Sequence, residues 1–248
     1  MRALVAAEAL KFRTTRAALG TLLALVALTA IAAAATVGTA GDDLLGTTQH
    51  ARDIVGSALF TSLVVFVMGI LAVTMEWRHG TITRTFLGAP RRGRVLVAKE
   101  IWVALLAALL AVAAIGLALA IAIPWLSIVD SSFEADRSVA GLAGRVVLAA
   151  VLWGALGVGI GAVVQAQAPA LVGGFIWILL LEGLLTAVFG LIDIEAVGDY
   201  LPGRALSSLD GTGGEGGLST WMGGAVGLAW AVVLGLLGFA RIARQDVT

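Results

Sequence analysis

The chain has two lysines, Lys11 and Lys99, and neither follows a glycine. A phosphate loop of the form G-x-x-x-x-G-K-[ST] needs glycine backbone N–H groups to cradle phosphates and a lysine to reach them. None is present, so the chain is expected to bind no ATP by that route. The histidines His50 and His79 stand far apart, H-E-x-x-H is missing and cysteine is absent, so neither a metal centre nor thiol chemistry is expected. Asp193, Glu195 and Asp199 form an acidic group without a histidine or basic residue among them, a poor start for a lipid-modifying enzyme. Gly211–Gly217 is glycine-rich but carries no basic residue, and reads as a linker. No catalytic residue is assigned. Glu182 stands apart as a single carboxylate inside a long apolar run.

The elements that must hold these residues follow from composition. Of 248 residues, 60% are hydrophobic and 13% charged, against about 25% charged in a soluble domain. Six apolar runs stand out, at 18–37, 54–75, 101–123, 146–164, 170–190 and 219–240. Each is close to the ~20 residues that cross ~30 Å of hydrocarbon as a helix. Lipid offers backbone groups no partners, which leaves helices or closed barrels, and the alternation of a barrel strand is missing. The expected fold is an all-α integral membrane protein of one domain, residues 1–248. The first run resembles a signal peptide, but its ~20 apolar residues exceed the 7–15 of such a region, so it reads as a span.

Basic residues set the expected orientation. Twelve of the sixteen lie before the first run, between the second and third, or after the sixth, leaving Arg52, Arg137, Arg145 and Arg204 on the other side. Both termini are therefore expected in the cytoplasm, with Asp42, Asp43, Asp130, Glu134, Asp136, Asp193, Glu195, Asp199, Asp210 and Glu215 outside. Trp77, Trp102, Trp125 and Trp221 mark the interfaces, while Trp153, Trp177 and Trp230 read as packing residues. Pro124 is expected to close helix three and Pro169 to open helix five. The pairs Gly157/Gly161 and Gly223/Gly227 predict close helix packing, within one chain rather than between copies. The basic residues lie against the membrane and are explained by orientation, so nucleic-acid binding is not expected.

Glu182 lies twelve residues past Ala170, ~18 Å along the helix, in the outer half of its span. A charge there costs at least ~2.5 kcal/mol and needs a partner or a proton. One reading makes it a substrate contact, proton-coupling group or outer gate. The other makes it structural, capping the backbone of a re-entrant segment within Leu191–Leu218 or pairing with Arg204.

Two segments on the cytoplasmic side are distinctive. Met1–Arg16 reads as a short helix with Glu8 and Lys11 one turn apart. Glu76–Glu100 is the longest and most charged loop; within it Thr81–Gly88 is expected to form a short helix, bounded by Gly80 and Pro90, with Ile82, Phe86 and Leu87 as an apolar ridge.

The pattern Glu76-x-Arg78-x-Gly80-Thr81, followed by Pro90 and Lys99, resembles the second intracellular loop of type 2 ABC exporter permeases. Glu8, Lys11 and Thr14–Thr15–Arg16 resemble that family's N-terminal elbow helix. Trp177–Leu185 followed by Tyr200–Leu206 is also similar, with Gly183 where many members carry proline after the glutamate. The resemblance covers essentially the whole chain.

What it implies is an elbow helix over residues 2–16, a cytoplasmic coupling helix in the 76–100 loop, and an outer re-entrant segment between helices five and six. Glu76, Arg78, Gly80, Thr81, Arg84, Phe86 and Pro90 would couple to the ATPase, with Glu8, Lys11 and Arg16 on the elbow. The implied partners are two copies of an ATP-binding subunit, which would hold the ATP and magnesium, and a second permease, identical or paralogous. The chain would be a non-catalytic bacterial plasma-membrane subunit moving an amphipathic or hydrophobic substrate, such as a drug, antimicrobial peptide or lipid, outward by alternating access. A secondary transporter and a membrane-embedded lipid-modifying enzyme are the alternatives.

Overall fold

Six helical segments are long and apolar enough to cross a membrane: Ala18–Gly38, Thr48–Arg78, Arg92–Ile128, Arg137–Val164, Gln167–Leu191 and Thr220–Arg244. The computed structural model describes residues 1–83, 85, 92–213 and 216–244, with the backbone alone at Arg16 and Ala17. No strand occurs among them. Arg84, Phe86, Leu87, Gly88 and Pro90, among them half of the expected Thr81–Gly88 helix, lie outside the described residues; Ile82, Thr83 and Thr85 are inside them and helical.

A first helix, α1 (Arg2–Thr14), stops at an extended Thr15, and α2 (Arg16–Gly38) forms the first span. The second span is α3 (Thr48–Gly56), a 3₁₀ turn at Ser57–Leu59, and α4 (Phe60–Arg78). The third is α5 (Arg92–Ile128) and the fourth α6 (Arg137–Val164), whose N-terminus is capped by the Asp136 side chain. The fifth is α7 (Gln167–Ile176), a π-helical turn at Trp177–Leu181 and α8 (Glu182–Leu191). Two short helices, α9 (Glu195–Gly198) and α10 (Pro202–Asp210), lead to the sixth span, α11 (Thr220–Arg244).

Each span runs past its apolar stretch, because helical hydrogen bonding continues where the side chains turn polar. The clearest correction is Pro124, which lies inside α5 rather than closing it. Its missing N–H leaves one carbonyl free a turn earlier, a defect that membrane helices tolerate. The elbow expected over residues 2–16 is likewise divided: Arg16 is the first residue of α2.

Spans two and four form the centre, 67% and 61% buried over their most apolar stretches, whereas span five is 11% buried. Glycines bring the central pair together. A Cβ on Gly157 would stand 2.2 Å from Phe66 O, and one on Gly69 would stand 2.3 Å from Gly154 O. The Gly157/Gly161 pair therefore packs within the chain, against α4. Gly223 and Gly227 do the same against α10, where a Cβ would meet Ala205 O at 2.3 Å and the Leu206 side chain at 2.4 Å. Small residues admit this backbone approach where lipid supplies no hydrophobic drive between helices.

The bundle has two chemically distinct ends. One carries α1, the C-terminal end of α4, the start of α5 and the C-terminal end of α11, and is rich in arginine and lysine. The other carries α9, α10 and most of the acids. They are called here the basic and acidic ends.

Candidate functional site

The basic end is organised by four charged side chains drawn from three helices. Glu8 of α1, Glu76 of α4 and Lys99 of α5 are all buried. Lys99 Nζ donates to Glu8 Oε2 at 2.8 Å, to the backbone carbonyl of Ala72 at 2.8 Å, and to Glu76 Oε1. An ammonium has three N–H donors, and all three are used. Lys11 completes the cluster from α1, donating to Glu8 Oε1 at 2.7 Å and Glu76 Oε1 at 2.8 Å. The remaining oxygen of Glu76 accepts from Thr85 Oγ1 at 3.0 Å. Two acids face two bases, so the cluster is neutral as a whole. That is the condition under which charges this deep are tolerated.

Local sequence explains why the four groups meet. Glu8 and Lys11 are three residues apart on α1 and share a face. Glu76 sits in the last turn of α4, which a glycine closes. Gly80 has φ +64°, its N–H donates to Trp77 O at 3.2 Å, and Thr81 N–H donates to Glu76 O at 3.0 Å. This pair of bonds is the Schellman ending of a helix, and glycine takes the left-handed conformation freely. The chain is thereby turned so that Thr85 comes back to Glu76. Burial lowers the affinity of the Lys11 ammonium for its proton, but the hydrogen bonds and charges of Glu76 and Glu8 outweigh it and hold the pKa above the ordinary lysine value.

Of the residues expected to couple, Glu76, Gly80 and Thr81 join Glu8 and Lys11 in one place. Arg78 points elsewhere, donating to Gln167 Oε1 at 2.9 Å. Arg84, Phe86 and Pro90 lie outside the described residues, and of Arg16 only the backbone is described.

At the other end, Glu182 is buried at the junction of the π turn and α8. Its carboxylate accepts from Trp177 Nε1 at 2.9 Å, Gly203 N–H at 2.9 Å and Arg204 N–H at 3.1 Å. Gly203 and Arg204 are the second and third residues of α10, whose N-cap residue, Leu201, has no side-chain oxygen to offer. Glu182 thus does from another helix what a capping serine or aspartate does locally. The Arg204 side chain turns away and pairs with Asp199 at 3.0 Å. The capping alternative describes this geometry; a direct ion pair between Glu182 and Arg204 does not. Trp177 is a hydrogen-bond donor as well as a packing residue, and Trp230 donates to Tyr200 O at 2.8 Å.

Sequence reasoning left Lys99 without a role, although it centres the basic cluster. The available signal was the scarcity of lysine, since two lysines stand among sixteen basic residues and both belong to this cluster. Glu182 also has company as an ionisable group within a spanning helix. Glu76, Lys99 and Glu100 lie in the long helices of spans two and three. Among the described residues no group of histidines and acids is placed to hold a metal ion. The chain matches no protein-family model and no curated protein.

Proposed function

We propose that the chain is the membrane-spanning permease subunit of an ATP-driven exporter of the type 2 ABC kind. Its work is to move an amphipathic or hydrophobic substrate, such as a drug, antimicrobial peptide or lipid, outward through alternating access. The ATP and magnesium belong to a separate ATP-binding subunit, present in two copies, and a second permease completes the assembly. In this reading the basic end faces the cytoplasm of a bacterium, both termini included, in keeping with the positive-inside rule.

One observation carries the reading: Glu8, Lys11, Glu76 and Lys99 tie the N-terminal helix to the end of α4 that leads into the 79–91 connection. An exporter without its own nucleotide site must receive mechanical work at its surface and pass it to its spans. A neutral, densely hydrogen-bonded cluster joining a peripheral helix, a loop and two spans is a stiff part of that kind. Here α1 acts as the elbow, and the 76–100 segment, with Arg84, Phe86 and Pro90, as the coupling element. At the acidic end, α10 acts as a re-entrant lid, its N-terminus held by Glu182.

The test is co-purification. The tagged chain, extracted gently from its native membrane, should bring with it a soluble subunit bearing a phosphate loop, and should lose it when 80–90 is replaced by a neutral linker. Recovery of the chain without any nucleotide-binding partner across several mild detergents would reject the exporter reading in favour of a secondary transporter or a lipid-modifying enzyme.

A further inference from the structure

Behind α1, at the basic end, lies a cavity of about 280 Å³ bounded by α1, α2, α4 and α5. Its walls are aromatic and flexible aliphatic: Phe12 and Trp102, whose rings lie 6.2 Å apart, with Met68, Leu71 and Met75. The exposed residues Lys11 and His79 stand at its mouth, and the buried Glu8 and Glu76 also line it. The volume is roughly twice that of an engineered cavity of ~150 Å³ that binds benzene. Methionine and aromatic walls adapt to apolar guests of varied shape.

Three features define the guest. The walls take an apolar body. The mouth is polar: the Lys11 side chain is 44% exposed, two of its N–H groups are used by Glu8 and Glu76, and the third has no acceptor among the described residues. The cluster beside it is neutral, Glu8 and Glu76 being offset by Lys11 and Lys99, and the same end of the bundle carries Arg2, Arg13, Arg78 and Arg94 against the single further acid Glu100, so the end as a whole is positive. His79 caps the end of the spanning segment Thr48–Arg78, so the mouth lies where the apolar stretch gives way to the headgroup layer. We propose that the cavity behind α1 binds one acyl chain of an anionic membrane lipid, with the headgroup at Lys11 and His79. The site requires only that the bundle sits in a bilayer, and stands or falls independently of the exporter reading.

The bound chain would complete the packing beneath α1, so the lipid would tune how firmly that helix is seated. The test uses the full chain in bilayer discs containing a trace of phosphatidylglycerol or phosphatidylcholine with a photoactivatable group in mid-chain, followed by peptide mapping. Labelling should concentrate on Phe12, Met68 or Met75. It should favour phosphatidylglycerol by about fivefold, roughly the factor one basic residue contributes near an anionic surface, and fall to the level of lipid-facing α7 in Met75→Trp, which fills the cavity. If Met75→Trp does not fold, competition by unlabelled phosphatidylglycerol in the wild-type chain decides. Labelling spread over exposed residues such as Leu109 and Leu179 without excess in the cavity would overturn the proposal, as would equal labelling by both headgroups. Competition by free decanoate but not by phosphatidylglycerol would overturn the lipid as the source.

Discussion

Lys99 and Glu8 stand 91 positions apart in sequence, and the ammonium of the first donates to the carboxylate of the second at 2.8 Å in a setting where the Lys99 side chain is 3% exposed. This bond fixes α1 to α5 and sets the terms of the first prediction. Lys99→Met leaves Glu8 and Glu76 with a single, half-exposed cation. Removing one partner of a buried pair costs about 3–5 kcal/mol, so the variant should melt far below the wild type in detergent. Lys99→Arg should also lose stability, because a planar guanidinium cannot direct three N–H groups from one nitrogen toward two carboxylates and the Ala72 carbonyl.

Alkaline titration should expose Lys11. Its folded-state pKa is raised above the ordinary value of 10.5, so the pairing stabilises the fold fully below that value and is lost as pH rises through the higher folded-state value. Melting temperature followed by intrinsic fluorescence should show no Lys11-dependent change from pH 7 to 9, and an added decline above about pH 10.5. Lys11→Met should lack that added decline while being less stable at neutral pH. An identical alkaline limb in both proteins would reject the pairing.

Asp210 should lose its contribution in the same direction, with rising pH, but starting from the acid range. Burial raises its pKa, partly offset by hydrogen bonds from Thr212 and by the charge of Arg145. An acid whose folded-state pKa is raised favours the fold most below its unfolded value of 3.8, and that contribution is lost as pH rises through the folded-state value. It also sits at the C-terminal end of α10, where a negative charge opposes the helix dipole. Asp210→Asn keeps an oxygen for Thr212 and should match or exceed the wild-type melting temperature at pH 7, with the advantage shrinking as the pH is lowered.

Glu182 separates anchoring from transport. Glu182→Ala leaves the Trp177 indole and the Gly203 and Arg204 amides without an acceptor, at about 1–3 kcal/mol for each group stranded away from water. Glu182→Gln retains one oxygen and should lose less. Hydrogen exchange at residues 203–206 is the direct readout, with faster exchange in Ala than in Gln and in Gln than in wild type. Unchanged exchange in both variants would show that α10 is held by other contacts. Normal expression of Glu182→Gln with lost export would assign the carboxylate a role in transport beyond anchoring.

The central seam allows a control of unusual contrast. Gly157→Ala sets a methyl group 2.2 Å from the Phe66 carbonyl, whereas at Gly116 nothing lies within 4 Å. The first substitution should lower stability by about 1–3 kcal/mol through overpacking. Gly116→Ala should be neutral or mildly stabilising, since alanine is the better helix former. A shared melting temperature for the two variants would mean that α4 and α6 are not in contact at this point.

The six spanning segments were legible because each combines an apolar run with an arginine, proline or glycine boundary, and lipid leaves the backbone no other regular form. The ends were less so: nothing in the run around Pro124 shows that α5 continues to Ile128, since neighbouring helices decide whether a proline stops a membrane helix. The π turn at Trp177–Leu181 is written in residues that favour an ordinary helix. It brings Trp177, at its start, to the Glu182 carboxylate that follows it. Glu182 was the readable half of that site, a lone carboxylate in an apolar run that needs a partner. The other half, the pair of amides that starts α10 behind a leucine unable to cap it, is brought there by the tertiary fold. Long-range pairing also hid Lys99, whose neighbours in sequence say nothing about Glu8.

Helix α10 is held in two directions at once. Its leading amides end on Glu182 of the fifth span, while Leu206 lies against Gly227 of the sixth and Leu152 of the fourth. Like the pin of a caliper, it fixes the gap between jaws that have little else in common at this depth. Any parting of the fifth span from the fourth and sixth must either strip the amides from the carboxylate or lift Leu206 from its glycine seat. The spacing at the acidic end is therefore set by one short helix and the two attachments, amide and leucine, that hold it.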